Sequence, residues 1–479
     1  MRAQLQVLSQ ADQAQVHERT LSLLMKTGVR VETARGRRIL GLAGAMVDEN
    51  RRVVRFPRAL VEESLSSAPR VFSLGGRRPE LNLPMNAGNC FLLADGGAFW
   101  VYDAEAGERR PAERADRIKS TRLIDALDEI SLYWWMVRED FASNNMGDFV
   151  AYWRDVFTHT SKHVQDSTNN PAQSRWLSEI LQVVFGAQDI VQQLHPLSFL
   201  LSPPSPLTID ETFTDAYLEI TGWNIPVAMM PMPLMGTTSP GNLISTIVLG
   251  NCEVLAMLCL VQAAAPGTPV IYAPALSVAD PRSGRFGSGA IEQALLGAAV
   301  TEMARYYRLP AEASTGGTDH HIPGIQASYE RALNWMLPTL SWPDILVGPG
   351  LLSGSTVLSY EQLLIDIEIF QRCRRIYQGI DCDEGKWLDE VIAKVGPGGN
   401  YLAQRSTRDA VRSAEWYTPR LGVHEGFDHW DAAGRPDLLV EIRQKIDQVL
   451  AHHQPLPLDE NQMRELAHIE QKARLQETT

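Results

Sequence analysis

The 479-residue chain is poor in cysteine: it has five, at Cys90, Cys252, Cys259, Cys373 and Cys382, with no Cys-x-x-Cys spacing. An odd, scattered set excludes a disulfide framework and a zinc–thiolate centre, and it fits a reducing compartment. Cations are in deficit: 44 Lys and Arg against 57 Asp and Glu leave a net charge of −13. The close pair Arg109 and Arg110 is diluted by Glu105, Glu108 and Glu113. Nucleic-acid binding needs clustered cations, so it is excluded. Long uninterrupted apolar runs are also missing. Residues 244–265 come nearest, but Asn251, Glu253 and Gln262 break the run, which reads as a buried helix and not a membrane span. The opening residues lack the apolar core of a secretory signal. A cytoplasmic protein without a membrane partner is expected. No P-loop, no Gly-x-Gly-x-x-Gly with a trailing acid and no nucleophile elbow occurs.

Apolar residues make up 44% of the chain and charged ones 21%, which suits a soluble fold with a sizeable core. Short apolar runs recur at residues 90–94, 130–137, 163–165, 197–201, 227–232, 270–272, 311–314 and 345–347. Several end in Gly, Pro or Ser, and most are followed by helical patterns. Eight strand–loop–helix units predict an α/β fold, a (β/α)8 TIM barrel, whose usual size is about 250 residues. The barrel is placed at residues 86–380. Residues 1–85 form an N-terminal helical cap, and residues 381–479 form a C-terminal helical extension packed on the barrel. The clearest unit runs from Asp344 through Gly348-Pro-Gly350 to Phe370. There Ser359 and Gln362 predict a capping box, and Leu363, Leu364, Ile367 and Phe370 predict one apolar helix face.

In such a barrel the site lies on the loops beyond the C-terminal strand ends. That rim holds Asp95, Arg138, Tyr272, Ser314, Thr315 and Asp319. Asp319-His320-His321 reads as a polar site wall or a surface loop. Adjacent side chains in extended backbone point apart, which disfavours a shared metal. Trp100 and Trp134 belong to an aromatic concentration that suits either core or a cation–π cage. Gly316, Gly317, Gly348 and Gly350 would let a large flat group approach backbone closely.

Together these segments resemble the trimethylamine methyltransferase family. The resemblance rests on Gly96-Gly-Ala-Phe-Trp-Val-Tyr-Asp103 with Arg110-Pro111, on Ser202-Pro-Pro-Ser-Pro-Leu207, and on the stretch from Pro231 to Gly241. Gly316-Gly-Thr-Asp319 with Gln326, Ala327 and Glu330 continues it, and Gly348-Pro-Gly-Leu-Leu352, Asp366-Ile-Glu368 and Gly396-Pro-Gly-Gly399 complete it. It implies a barrel whose glycine-rich rim faces a corrinoid (cobalamin) carried by a partner protein, with no tightly bound metal. Two departures stand out. Asn400 and Ser406-Thr407 occupy positions where family members often carry His and His-Thr, and pyrrolysine is absent. A tertiary amine needs activation to give up a methyl group, whereas a quaternary ammonium leaves as a neutral amine. The resemblance therefore implies the branch acting on quaternary amines such as glycine betaine, with Arg138, His320 or His321 receiving the carboxylate. The expected assignment is Asp319 and His320 as catalytic; Trp100, Trp134, Arg138, Tyr272 and His321 as substrate-binding; and Gly316, Gly317, Gly348, Gly350 and Asn400 as cofactor-facing. A homo-oligomer is expected. A barrel lyase or hydrolase without corrinoid, and a non-catalytic quaternary-amine binder, are the alternatives.

Overall fold

The eight apolar runs all become strands: β1 Phe91–Leu93, β2 Ile130–Tyr133, β3 His163–Asp166, β4 Leu197–Leu201, β5 Val227–Met229, β6 Val270–Tyr272, β7 Glu312–Ser314 and β8 Ile345–Val347. The computed structural model describes residues 2–139 and 145–476. Each strand pairs in parallel with its sequence neighbour, and β8 returns to β1 through Ile345↔Phe91. The β6–β7 seam is the thinnest. It is closed by a bridge between Tyr272 and Ala311 and by the Tyr272 N–H donating to the Pro310 carbonyl at 2.9 Å. Parallel neighbours need crossovers, and helices supply them. They are α1 Arg114–Ala126, α2 Met146–His159, α3 Pro171–Phe185, α4 Thr212–Glu219, α5 Leu243–Ala264, α6 Ile291–Tyr307, α7 Ile325–Ser341 and α8 Tyr360–Gln378.

Alternation along each strand divides the core. Leu93, Leu132, Leu200, Ala228, Ile271 and Ile345 fill the barrel interior. Leu92, Tyr133, Phe199, Met229, Tyr272 and Leu346 pack with the surrounding helices. One line of polar side chains crosses the interior. His163 Nε2 bonds Ser198 Oγ at 3.0 Å, Ser198 Oγ donates to Gln165 Oε1 at 3.1 Å, and Gln165 Nε2 donates to Glu312 at 2.9 Å. Gln165 and Glu312 lie on β3 and β7, which are not neighbours, so their bond spans the barrel. Burial pushes the Glu312 carboxyl up to about 8 and His163 down to about 3, so the line is largely uncharged at neutral pH.

The nearly uninterrupted apolar segment is α5, the one helix among the described residues long and apolar enough to cross a membrane. It is buried here because β5 covers one side and the helices Gln10–Lys26 and Arg58–Ser67 cover the other. Its polar residues are paired inside. Asn251 bonds Thr20, Tyr272 and Tyr307, and Glu253 accepts the Leu207 N–H and the Ser205 hydroxyl. At the other end, helix Leu438–His452 packs on α8 and α1, and helix Glu460–Gln476 packs on α2 and α3. Residues 381–437, between α8 and helix Leu438–His452, contain no buried position.

The capping box at α8 forms only by half. Ser359 Oγ accepts the Gln362 N–H at 3.2 Å, but the Gln362 side chain turns to Asp366 Oδ1 at 2.7 Å. A fully buried carboxylate needs donors more than a helix start does.

Candidate functional site

Where the strands end, the loops enclose a cavity of about 200 Å³. Its lower wall is Met230 beyond β5, Ser314 at the end of β7, and Val347 with Gly348 at the end of β8. Trp134 and Met232 form the sides, and Phe286 and Gly354-Ser355 form the lip. Asp95, two residues past β1, lines it as well. It is 8% exposed; Oδ2 accepts from the Ser355 hydroxyl at 2.7 Å and Oδ1 from the Gly96 N–H at 2.9 Å. Burial pushes its carboxyl above the usual range, opposed by those donors and the charge of Arg331. Among the described residues no basic side chain forms an ion pair with it. The cavity thus joins an aromatic, thioether-lined wall to a carboxylate without a counter-ion.

Trp134 lies there because residue 96 is glycine: a Cβ at Gly96 would sit 2.5 Å from the indole. Trp135 braces it edge-on, with ring centroids 6.5 Å apart.

A second cavity of about 220 Å³ opens beside the first and shares Phe286 and Gly354 with it. Its remaining walls come from the β6–α6 loop (Asp280, Ser283, Arg285), the β7–α7 loop (Asp319, His321) and Ser353. Asp319 accepts the Ser288 N–H at 2.9 Å, and His321 Nδ1 bonds Ser353 Oγ at 2.8 Å.

The loop after β8 is pinned from below. Arg331 donates to the carbonyls of Gly348 and Leu351 and pairs with Asp366 at 3.2 Å, both side chains being fully buried. Asp366 in turn accepts the Gly350 N–H at 2.7 Å. Burial raises the Asp366 carboxyl to about 6 and so outweighs the adjacent guanidinium.

The predicted site residues divide accordingly. Trp134, Gly317 and Gly348 meet at the inner cavity, and Asp319 and His321 meet at the outer one. His320 is turned away, with Nδ1 on the Ile322 carbonyl at 2.8 Å. Gly316 and Gly350 are not on either wall. A Cβ there would sit 1.9 Å from the Trp335 indole and 2.3 Å from Met136, so both are small for internal packing. Tyr272 is brought to neither cavity. Strand parity points it outward, and its hydroxyl donates to Asn251 on α5 at 2.9 Å. Trp100 lies on the strand Trp100–Asp103 above the rim, under the Arg109 guanidinium at 4.5 Å. Arg138 stacks on Tyr152 at 3.9 Å, and the Tyr152 hydroxyl donates to Asp166 at 2.5 Å. Asn400 sits in an exposed loop, where its Oδ1 accepts the neighbouring Leu402 N–H at 2.7 Å. Asp95, Ser314 and Thr315, which the sequence placed on the rim without a role, line the inner cavity, whereas Phe286, Arg285 and Ser355 were not singled out. Asp95 carried a signal, a lone acid between a strand and a glycine pair. Phe286 and Arg285 close a local turn, Asp280-Pro-Arg-Ser-Gly284, held by the Ala279↔Phe286 bridge and by the Asp280 N–H on the Arg285 carbonyl at 2.8 Å; the turn was readable, but not its place over the cavity.

A (β/α)8 barrel with its cavity on the loops at the C-terminal strand ends is the architecture of a barrel enzyme. The family model described as trimethylamine methyltransferase (MTTB) matches residues 1–476, and the chain belongs to that family of methyltransferases. It is 30% identical over 465 residues to trimethylamine methyltransferase MttB of Methanosarcina barkeri, spanning 96% of this chain and 93% of that one. It is 29% identical over 457 residues to the glycine betaine methyltransferase of Desulfitobacterium hafniense, spanning 95% and 94%. Its fold is similar to the crystal structure of the Methanosarcina barkeri monomethylamine methyltransferase, with a TM-score of 0.52 at 11% identity over 96% of this chain and 91% of that one.

Proposed function

We propose that the enzyme takes a methyl group from a quaternary amine, glycine betaine or a close relative, and delivers it to the Co(I) corrinoid of a partner protein. The observation that carries this reading is the inner cavity. Trp134 and Phe286 contribute aromatic rings and Asp95 contributes a carboxylate with no ion pair among the described residues, which together suit a permanent cation. The glycine betaine methyltransferase relative and the lack of pyrrolysine support it.

In this reading the chain's own residues bind, orient and dry the substrate. Trp134 and the methionines Met230 and Met232 exclude water from the ammonium. Asp95 fixes the nitrogen by charge, with its own position set by Ser355 and Gly96. Transfer breaks one C–N bond and its electron pair stays on nitrogen, so a neutral tertiary amine leaves and no general acid is required. Alignment then carries most of the rate. The corrinoid, when presented, supplies the nucleophilic cobalt. The rim suits its approach at Gly354, where an added Cβ would meet nothing within 4 Å.

The test is to incubate the enzyme with glycine betaine and a reduced corrinoid protein and to follow dimethylglycine by mass spectrometry. Corrinoid-dependent product is expected. Demethylation without corrinoid, or none with any quaternary amine, would overturn the proposal.

A further inference from the structure

We infer that residues 381–437 form an intersubunit arm whose partner is a second copy of this chain: across a two-fold axis, each copy lays its arm along the apolar groove between α7 and α8 of the other. This stands independently of the amine reading of the inner cavity.

The arm cannot hold its own shape. It carries three helices, Asp389–Val395, Arg405–Val411 and Phe427–Ala432, and none has a buried residue. Helices of six or seven residues are unstable in water unless packing covers an apolar face. Here the large apolar side chains are left open: Trp387, Ile392, Leu402, Val411, Trp416 and Phe427 are all exposed, Leu402 at 83%. The ties to the arm's own barrel are mainly polar. Arg375 donates to the Glu415 carbonyl at 3.1 Å, and the Tyr417 hydroxyl and Arg420 N–H donate to Glu368 at 3.0 and 3.1 Å. At roughly 150–250 Å² for a whole aromatic side chain, and less for an aliphatic one, the six leave roughly 700 Å² of apolar surface open. A standard interface takes about 800 Å² from each partner.

A cover of the same character lies beside it. The groove between α7 and α8 has a volume of about 610 Å³ and is lined by Ile325, Tyr329, Ile365, Leu438 and Leu439, with Leu421 of the arm as one wall. Ile325 is 88% exposed. The one charged side chain on the groove wall, Glu368, is already engaged by Tyr417, Arg420 and Arg372. The surface that needs cover and the groove that can give it therefore share one flank and meet at Leu421. An isologous two-fold requires that self-complementarity, since it sets arm on groove and groove on arm at once. The cover must also be permanent, because a segment without a core has nothing to hold it between visits. A carrier protein that serves the cavity is a transient partner, and it docks over the mouth. The arm leaves α8 at Gly379, the end of that helix remote from the β8 loop. A second copy is present whenever the chain is.

Sedimentation equilibrium of the full-length protein tests this, with Leu402→Glu in the arm and Ile325→Glu in the groove. Both side chains lie on the outside of the single chain, so neither change disturbs its core. The wild type is expected at an even multiple of the chain mass at micromolar concentration. Each glutamate is expected to weaken self-association by roughly hundredfold, because a charge is then buried against apolar surface, while the far-UV circular dichroism is kept. A wild type that is monomeric or odd-numbered overturns the inference, including one that gains mass only when a corrinoid protein is added. An assembly left intact by either glutamate overturns the pairing of arm with groove.

Discussion

Replacing Glu312 by glutamine tests how the barrel interior tolerates its polar line. The carboxyl is fully buried, bonded among the described residues only to Gln165, and raised from 4.5 to about 8. In the unfolded chain the same group ionises near 4.5. Below that pH both states hold the proton and the residue adds no pH dependence. Between 4.5 and 8 the unfolded state sheds a proton that the folded state keeps, so wild-type stability falls as pH rises through this window. Above 8 both states are ionised and the curve levels. At about 1.36 kcal/mol per decade, the ceiling on this loss is about 5 kcal/mol. An amide keeps the shape and cannot ionise. Glu312→Gln should therefore match wild type near pH 4.5 and gain on it progressively up to pH 8, in urea unfolding midpoints measured from pH 4.5 to 9. A stability difference that stays constant across that range would refute the reasoning, because it would show that the carboxyl titrates alike in both states.

Other outcomes follow from the site. Asp95→Asn should weaken tetramethylammonium binding by about tenfold, the scale of one partly buried charge contact. Because the Asp95 carboxyl is raised, wild-type affinity should climb as pH rises through its titration, and the variant should be flat when measured by calorimetry at several pH values. Gly96→Ala, whose Cβ would lie 2.5 Å from Trp134, should raise KM for a quaternary amine, because the indole that lines the cavity must shift. Gly316→Ala combines a positive φ of 87° with a Cβ 1.9 Å from the Trp335 ring and should cost about 3 kcal/mol in chemical denaturation. Gly354→Ala, at φ 66° with nothing within 4 Å, should cost about 1 kcal/mol yet slow transfer to a corrinoid protein.

The barrel was legible because its information is local and repeated. Strand and helix alternate eight times, most strands are short apolar runs and several stop at glycine or proline, and parallel pairing with right-handed crossovers leaves few other ways to arrange them. Even the short polar run at His163 formed its strand, with its polar side chains turned into the interior toward Ser198 and Glu312. The site was less legible, since which way a strand-end side chain points depends on parity. Tyr272 sits at a strand end as Ser314 does, but it faces α5 while Ser314 lines the cavity. Asp319-His320-His321 shows the same limit within one loop. Two of the three face the outer cavity, and His320 folds back on Ile322. Phe286 and Arg285 belong to a turn whose own bonds are local, from Ala279↔Phe286 to the Asp280 cap, but its placement over the cavity mouth is not written in that turn.

The glycines sharpen what such a rim is for. By composition alone, Gly316, Gly317, Gly348 and Gly350 look like one platform cleared for a flat partner. In the fold they are a packing device. Added Cβ atoms would strike Trp335, the Ser288 hydroxyl, the Thr315 carbonyl and Met136, all parts of the protein itself. Their smallness lets the β7 and β8 loops lie close enough for the Trp335 indole to bond both Thr315 and Val347, at 3.0 and 3.2 Å, and for Arg331 to hold the β8 loop from beneath. In the proposed transfer, which runs by alignment, that bracing would keep the cavity walls in place as the acceptor arrives. Surface clearance falls instead to Gly354, which stands on the lip shared by both cavities. Rigidity and access are thus divided between two sets of glycines that the sequence alone does not distinguish.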